Sequence, residues 1–463
     1  MKHKTSEGDY ILGGGMTGLA AGMSSGLPVL EAQEAPGGIC SSYYVRPNDS
    51  ERLLEAPADG EAYRFEIGGG HWIFGGDSTI LRFIEKLAPV RRYERSSAVY
   101  FPEDRLYVPY PLQNHLRFLK PDVVTRALKE LAVPGNGFRT MEEWLEGSFG
   151  HTLCELFFKP FHDLYTAGLH KEIAPQDAYK SPVNLNKAID GALRAVEAVG
   201  YNVTFVYPQD GLNALAQRMA AQADVRYGKR VTAIDVEARE LHFADGETMP
   251  YRSLISTLPL NQMMEMTGLS VEARPDPYTS VLVLNVGARR GEQCPSEHWL
   301  YIPRSEAGFH RVGFYDNVDH SFLPRSHRPE SRERSNGFGN QASAASIYVE
   351  RAFVGGQTPP TPEEVLAYAD AVVQELQGWG YIGEAEVVDL TWIDVAYTWS
   401  WPQSKWKSQA MKALEAHDVY PVGRYARWIF QGIADSIRDG FYAGSSFAPQ
   451  MAMAQVKERA AVE

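Results

Sequence analysis

A chain of 463 residues is long for one hydrophobic core, so two or three subdomains are expected, with room to enclose a large cofactor. With 44% hydrophobic and 22% charged residues and no apolar run approaching the roughly 18 residues of a membrane span, the composition is that of a soluble globular protein rather than a membrane one. The balance of 45 basic against 58 acidic residues leaves a net charge of -13, which argues against nucleic acid as a partner and leaves small anions open if local arginines receive them.

The polar start, Met1 to Asp9, lacks the apolar region of a signal peptide, and a cytoplasmic protein is expected. Tyr10-Ile11-Leu12 then reads as a strand running into Gly13-Gly14-Gly15-Met16-Thr17-Gly18, with a short helix over Leu19 to Ser25. Gly13 serves the tight turn, Gly15 lets the backbone approach a pyrophosphate, and Gly18 lets the helix pack close to the sheet. The helix N-terminus, at Met16 and Thr17, would face the phosphates with unpaired N–H groups. The next apolar run, Leu27 to Leu30, ends in Glu31 and Ala32, where an acid is wanted for a ribose hydroxyl. Strand, helix and acid together predict an α/β, Rossmann-type dinucleotide site.

Further along, Ala35-Pro36-Gly37-Gly38 and the stretch Glu66 to Phe74, which contains Gly69, Gly70 and His71, read as backbone brought close to a cofactor. From Asn114 to about Val199 the pattern turns helical, with apolar periodicity in Met141 to Phe149 and Thr152 to Phe158. Val203 to Leu260 shows short β-type runs around one helix, Leu212 to Gln222, and ends in a buried strand stopped by Pro259. Aromatic and β-branched runs at Ser280 to Val286, His310 to Tyr315, Ser346 to Val354 and Val387 to Tyr397 predict a second, mixed sheet as the substrate platform. Between them, Ser326 to Ala345 reads as a mobile surface loop. Cys40, Cys154 and Cys294 are scattered, so buried thiols are expected rather than disulfides or a metal site.

Several motifs narrow the choice: Gly69-Gly70-His71-Trp72-Ile73-Phe74; Val108-Pro109-Tyr110-Pro111-Leu112-Gln113-Asn114; Trp299-Leu300-Tyr301 followed by Phe309-His310-Arg311; Tyr397 ahead of Trp401-Pro402; and Gly423-Arg424-Tyr425 before Gly432 to Ile437. On these the chain resembles the UDP-galactopyranose mutases, especially the eukaryotic type, within the wider class of protoporphyrinogen oxidases and amine oxidases, over nearly its whole length. The resemblance implies FAD as cofactor, with the Gly-Gly-His loop and Arg424 against the flavin and Ala434, Asp435 and Ile437 on a helix aimed at it. It places Tyr110 and Gln113 at the nucleotide. Arg311 would grip the substrate diphosphate, aided by Tyr301 and Tyr397. It also implies a division into an FAD-binding domain (1–89, 203–270 and 417–463), a helical insertion (111–202) and a mixed-sheet substrate domain (90–110 and 271–416).

Departures accompany the matches. Phe430 and Ala434 stand where the family carries a tyrosine and an asparagine that contact substrate, Pro160-Phe161-His162 replaces a P-Y-N motif, and only Lys180 in Asp177-Ala178-Tyr179-Lys180 can stand in for a second arginine. The resemblance therefore implies an isomerase interconverting pyranose and furanose forms of a nucleotide-diphosphate sugar through reduced flavin, NAD(P)H being one candidate reductant and a homo-oligomer one option. The alternative is an FAD-dependent oxidoreductase of the amine oxidase or protoporphyrinogen oxidase kind. Residue type alone leaves roles open: His71 is an acid-base group or a shaper of the flavin pocket, and His162 is structural or a substrate contact. Arg424 stabilises a reduced flavin or pairs with a buried carboxylate. Arg311 is a diphosphate clamp or an ordinary strand cation, and Asp435 is an N-cap or a flavin contact.

Overall fold

The computed structural model describes residues 8–133, 135–176, 183–196, 203–329 and 342–460. Most of the Ser326–Ala345 segment, and Asp177 to Lys180 with the proposed cation Lys180, lie outside the described residues.

Strand Gly8–Leu12 lies at the centre of a parallel array, flanked by Val29–Leu30 and then Val225–Arg226 on one side and by Thr248–Ser256 and then Val419–Pro421 on the other. Parallel strands are covered on both faces, which is why Ile11, Val29, Leu254 and Ile255 are all fully buried. The early half of Thr248–Ser256 also pairs antiparallel with Glu240–Phe243, extending the sheet to Val231–Asp235. Helix Met16–Ser25 leaves the first strand and stops at Gly26, whose left-handed backbone (φ 74°) lets its N–H bond Gly22 O at 2.8 Å. The last helix, Ile433–Ala460, packs across it with almost no gap: a Cβ at Gly440 would lie 2.2 Å from Thr17 O, and one at Gly444 2.3 Å from Ala21 O.

The second sheet has seven strands in the order Ile382–Thr398, Tyr278–Arg290, Ala344–Val354, Arg311–Phe314, Trp299–Tyr301, Ser97–Phe101 and Leu106–Pro109. All four predicted runs are in it. The pairings are antiparallel except Trp299–Tyr301 with Ser97–Phe101, so the sheet is mixed as expected. Helix Pro362–Gly378, started by a Thr361/Glu364 capping box, covers one face by burying Tyr368, Ala369, Val372 and Leu376. Val90–Glu94 pairs with Thr204–Pro208, and so joins segments assigned above to different domains.

The helical region departs from the simple periodic reading. Helix Met141–Leu153, also begun by a capping box at Thr140/Glu143, kinks at Gly150 (φ 77°) and leads into a π-helical turn, Cys154–Phe158, before Lys159–Tyr165. Glycine is needed at the kink for both its positive φ and its surroundings, since a Cβ at Gly150 would lie 2.4 Å from Glu130 Cβ. The extra residue of the π turn brings Phe157 and Phe158 into the same interior, where Phe158 stacks on Phe149 at 3.8 Å.

Candidate active site

A cavity of about 680 Å³ runs from the first glycine turn, past the Gly68–His71 loop and the exposed face of the second sheet, into the helical region. At the glycine end the three motif glycines have distinct surroundings. Gly13 has φ 97°, a conformation that L side chains rarely adopt, and a Cβ at Gly18 would sit 1.9 Å from Gly13 O. In front of Gly15 there is open space. The first turn of helix Met16–Ser25 carries no side-chain cap, so its N–H groups are available to a ligand. Glu31, only 7% exposed, lines the same end, and its two carboxylate oxygens accept the N–H groups of Gly14 (2.6 Å) and Gln33 (2.7 Å). Ala32 is not part of the wall, whereas Gly38 and its loop are. An open cradle, an uncapped helix start and a buried acid suit the pyrophosphate and ribose of a dinucleotide.

The far end of the chain closes this region with Gly432, Ile433 and Ser436 on the wall. Three residues expected at the cofactor sit otherwise. Ala434 packs against the turn at Gly76, Ile437 lies in the core, and Asp435 is the third residue of its helix and pairs with Arg438 at 3.0 Å, so it is not the N-cap. Arg424 is on the wall. Its guanidinium donates to Gln431 O (3.1 Å) and Ala396 O (3.2 Å) and lies over the rings of Phe430 (4.7 Å) and Tyr425 (5.4 Å), and it forms no ion pair with a carboxylate among the described residues. Of its two alternative roles, the buried-carboxylate partner is therefore not found. Phe430, 38% exposed, stands at the rim under that guanidinium.

His71 belongs to the wall together with Gly68 and Gly70. Burial, reinforced by the Arg424 charge, pushes its imidazole down to about 4, so the ring is neutral at physiological pH. A neutral imidazole keeps one N–H and one acceptor nitrogen, which suits the pocket-shaping alternative and leaves no imidazolium to act as an acid near pH 7. His162 is on the wall too, its Nδ1 set 2.6 Å from Phe158 O, and burial holds it near 4 as well.

The sheet end gathers residues that are far apart in the chain. Tyr110 packs against Tyr301 with ring centroids 4.5 Å apart and planes tilted by 41°, and Arg311 donates to Tyr397 Oη (3.0 Å), all four facing the cavity. Gln113, 1% exposed on the short turn after Tyr110, is not part of the wall. Arg311 is not a free cation. Register pairs it with Glu350 on the neighbouring strand, and its Nη2 donates to Glu350 Oε2, while His310 Nε2 lies 3.5 Å from the same oxygen. Burial opposes both charges, but each sustains the other: Glu350 is held down to about 2 and Arg311 is pushed well up.

Glu350 and Tyr348 were not singled out by the sequence reading. The signal was present, since Glu350 interrupts the apolar strand Ala344–Val354 with a charge at an inward position. The aromatic wall of the helical region, from Trp144 and Phe149 to Phe158 and Phe161, also went unassigned to the site.

Comparisons with known proteins agree with this arrangement. Residues 21–415 match the family described as flavin containing amine oxidoreductase. The structure is similar to reduced UDP-galactopyranose mutase (TM-score 0.76, 19% identity, 95% of both chains covered). It is also similar to a putative protoporphyrinogen oxidase from Exiguobacterium sp. 255-15 (TM-score 0.65, 15% identity, 97% of this chain and 99% of that one) and to a redesigned putrescine oxidase (TM-score 0.55, 12% identity, 95% and 98%). At these identities the likeness is one of fold. No described helix is long and apolar enough to cross a membrane.

Proposed function

From the premise that this chain belongs to the flavin-containing amine oxidoreductase family and has FAD as its cofactor, we propose that it is a mutase interconverting ring forms of a nucleotide-diphosphate sugar. The observation that carries this reading is the meeting of Tyr110, Tyr301, Arg311 and Tyr397 on one wall beside Gly70 and His71. Reduced flavin would supply the electron pair for the anomeric carbon. The chain's own part is binding and orientation. A guanidinium at Arg311 forks onto phosphate oxygens, and the phenols of Tyr301 and Tyr397 add donors without adding charge. The aromatic walls keep water away from the reacting centre.

A second reading, an FAD-dependent oxidoreductase acting on an apolar substrate, is favoured by the other arm of the cavity. There Met141, Leu145, Phe149, Phe157 and Phe158 form the wall, and a nucleobase would find few polar partners among them. An anaerobic assay of dithionite-reduced protein with a panel of nucleotide sugars, read by product chromatography, tests the first reading. Steady oxygen consumption with stoichiometric hydrogen peroxide and no isomerised sugar decides for the second.

A further inference from the structure

Glu350 is a buried anion inside the proposed anion clamp. It is 2% exposed, lies on the cavity wall with Arg311 and Tyr397, and gives only one of its oxygens to the arginine. Oε1 has no hydrogen-bond partner among the described residues. It faces the glycine loop, where a Cβ at Gly69 would come within 2.9 Å of it. A buried carboxylate oxygen left without a donor is costly, and such a group is normally satisfied by whatever fills the site. The guanidinium is incomplete in the same way, since Arg311 Nε is buried without an acceptor. The pair thus keeps one buried acceptor and one buried donor unsatisfied at the cavity wall, with a net charge near zero.

We propose that Glu350 is a specificity-determining residue that makes the Arg311 clamp select ligands carrying a hydroxyl or other donor beside their anionic group, and weakens its hold on a bare diphosphate. This rests on the nucleotide-sugar reading and refines it. A phosphate oxygen approaching Arg311 meets the field of Glu350 a few ångströms away, and in a water-excluded site such like-charge opposition is strong. A sugar hydroxyl donating to the Glu350 carboxylate offsets it, whereas inorganic diphosphate, even with the P–OH it keeps near neutral pH, brings several negative charges against that one donor. The arrangement also suits a reaction in which a diphosphate must part from the sugar and rejoin it, because the separated anion is not trapped.

The test is titration of the FAD-loaded protein with inorganic pyrophosphate, followed by perturbation of the flavin absorption spectrum, for wild type, Glu350→Gln and Arg311→Ala/Glu350→Gln. Glu350→Gln keeps the size and an acceptor but removes the charge, and it should bind pyrophosphate at least ten times more tightly than wild type, with the gain lost in the double variant. Binding by Glu350→Gln that is equal to or weaker than that of wild type, or no saturable change in any protein, overturns the proposal. Because Gln at this position gives Arg311 a weaker acceptor, the free and bound proteins are compared in thermal midpoint: a folded variant with unchanged midpoint and no gain in affinity also counts against it. The nucleotide-sugar reading fails separately. It falls if wild type ignores UDP-sugars while Glu350→Gln still gains the predicted affinity for pyrophosphate.

Discussion

Replacing Glu31 by alanine should weaken FAD binding and, independently, the apoprotein. In the structure Glu31 holds the Gly14 N–H at 2.6 Å in a buried contact and the Gln33 N–H at 2.7 Å in a partly exposed one. Water can replace the acceptor at Gln33 but not at Gly14, where an unsatisfied buried donor costs about 1 to 3 kcal/mol. That cost appears without any ligand, as a lower unfolding midpoint of the flavin-free protein. If a ribose hydroxyl also bonds this carboxylate, loss of that charged acceptor costs a further 1.5 to 3 kcal/mol or so on FAD binding. At 1.4 kcal/mol per tenfold, FAD should bind about one to two orders of magnitude more weakly. Glu31→Gln retains one acceptor oxygen and should fall between wild type and Glu31→Ala in both measurements. Flavin-fluorescence titration of the deflavinated proteins and thermal unfolding without FAD read the two effects apart. A Glu31→Ala protein with a lowered apo midpoint but FAD affinity within threefold of wild type would falsify the ribose contact and leave Glu31 a loop anchor alone.

Arg311→Ala should cost about 3 to 5 kcal/mol at neutral pH by stranding the Glu350 carboxylate. Wild-type Glu350, held down to about 2, contributes stability above the ordinary carboxylate range that is lost as pH falls toward 2, whereas in the variant burial raises the same group. The deficit of Arg311→Ala should thus shrink between pH 8 and pH 5 in denaturant titrations, and equal deficits at both would contradict the buried pair. Glu66 has the opposite sign: burial pushes it up from an ordinary 4.5 to about 7, so its contribution is complete below 4.5 and lost as pH rises through 7, about 3 kcal/mol by pH 8. Glu66→Gln should gain stability relative to wild type on going from pH 5 to pH 8, and a flat difference would refute this. His71, pushed down to about 4, should add no inflection to the pH–rate profile between pH 5.5 and 8, and a step near 6.5 that vanishes in His71→Asn would return it to acid-base duty. Gly440→Val should lower the thermal midpoint and the flavin-to-protein ratio together, since its Cβ falls 2.2 Å from Thr17 O and such overpacking costs roughly 1 to 3 kcal/mol. Full flavin retention in a destabilised variant would uncouple that helix contact from the cofactor.

The residues legible in the sequence are those whose role depends on backbone form or on strand pattern. Gly13, Gly15 and Gly18 announce a turn whose steric demands are local, and the alternating runs around Ser280, Ser346 and Val387 announce a sheet. What escaped depends on register across strands. Nothing near Arg311 in the chain indicates that Glu350 will face it, because that pairing is set by how Arg311–Phe314 aligns with Ala344–Val354. Asp435 was misplaced for another reason: a polar residue near a helix start fitted an N-cap, but the helix already begins at Ile433 and the carboxylate turns to Arg438. Periodicity over Thr152 to Phe158 was real, yet it could not register a π turn, which shifts the apolar face by one residue without changing composition.

The parallel array has a consequence for how the protein is made. Its central strand, Gly8–Leu12, waits for a neighbour at Thr248–Ser256, which in turn waits for Val419–Pro421. At a synthesis rate of roughly 5 to 20 residues per second, the first of those intervals alone lasts about 10 to 50 seconds. During it the ribosome displays a short apolar strand with one edge unpaired, a template for other chains. The wall at Gly432 to Ser436 comes later still, so FAD meets a complete site only after that segment has been made. Soluble yield should therefore respond to chaperone supply and to lower growth temperature, and riboflavin in the medium should rescue folding only once Gly432 to Ser436 has been made.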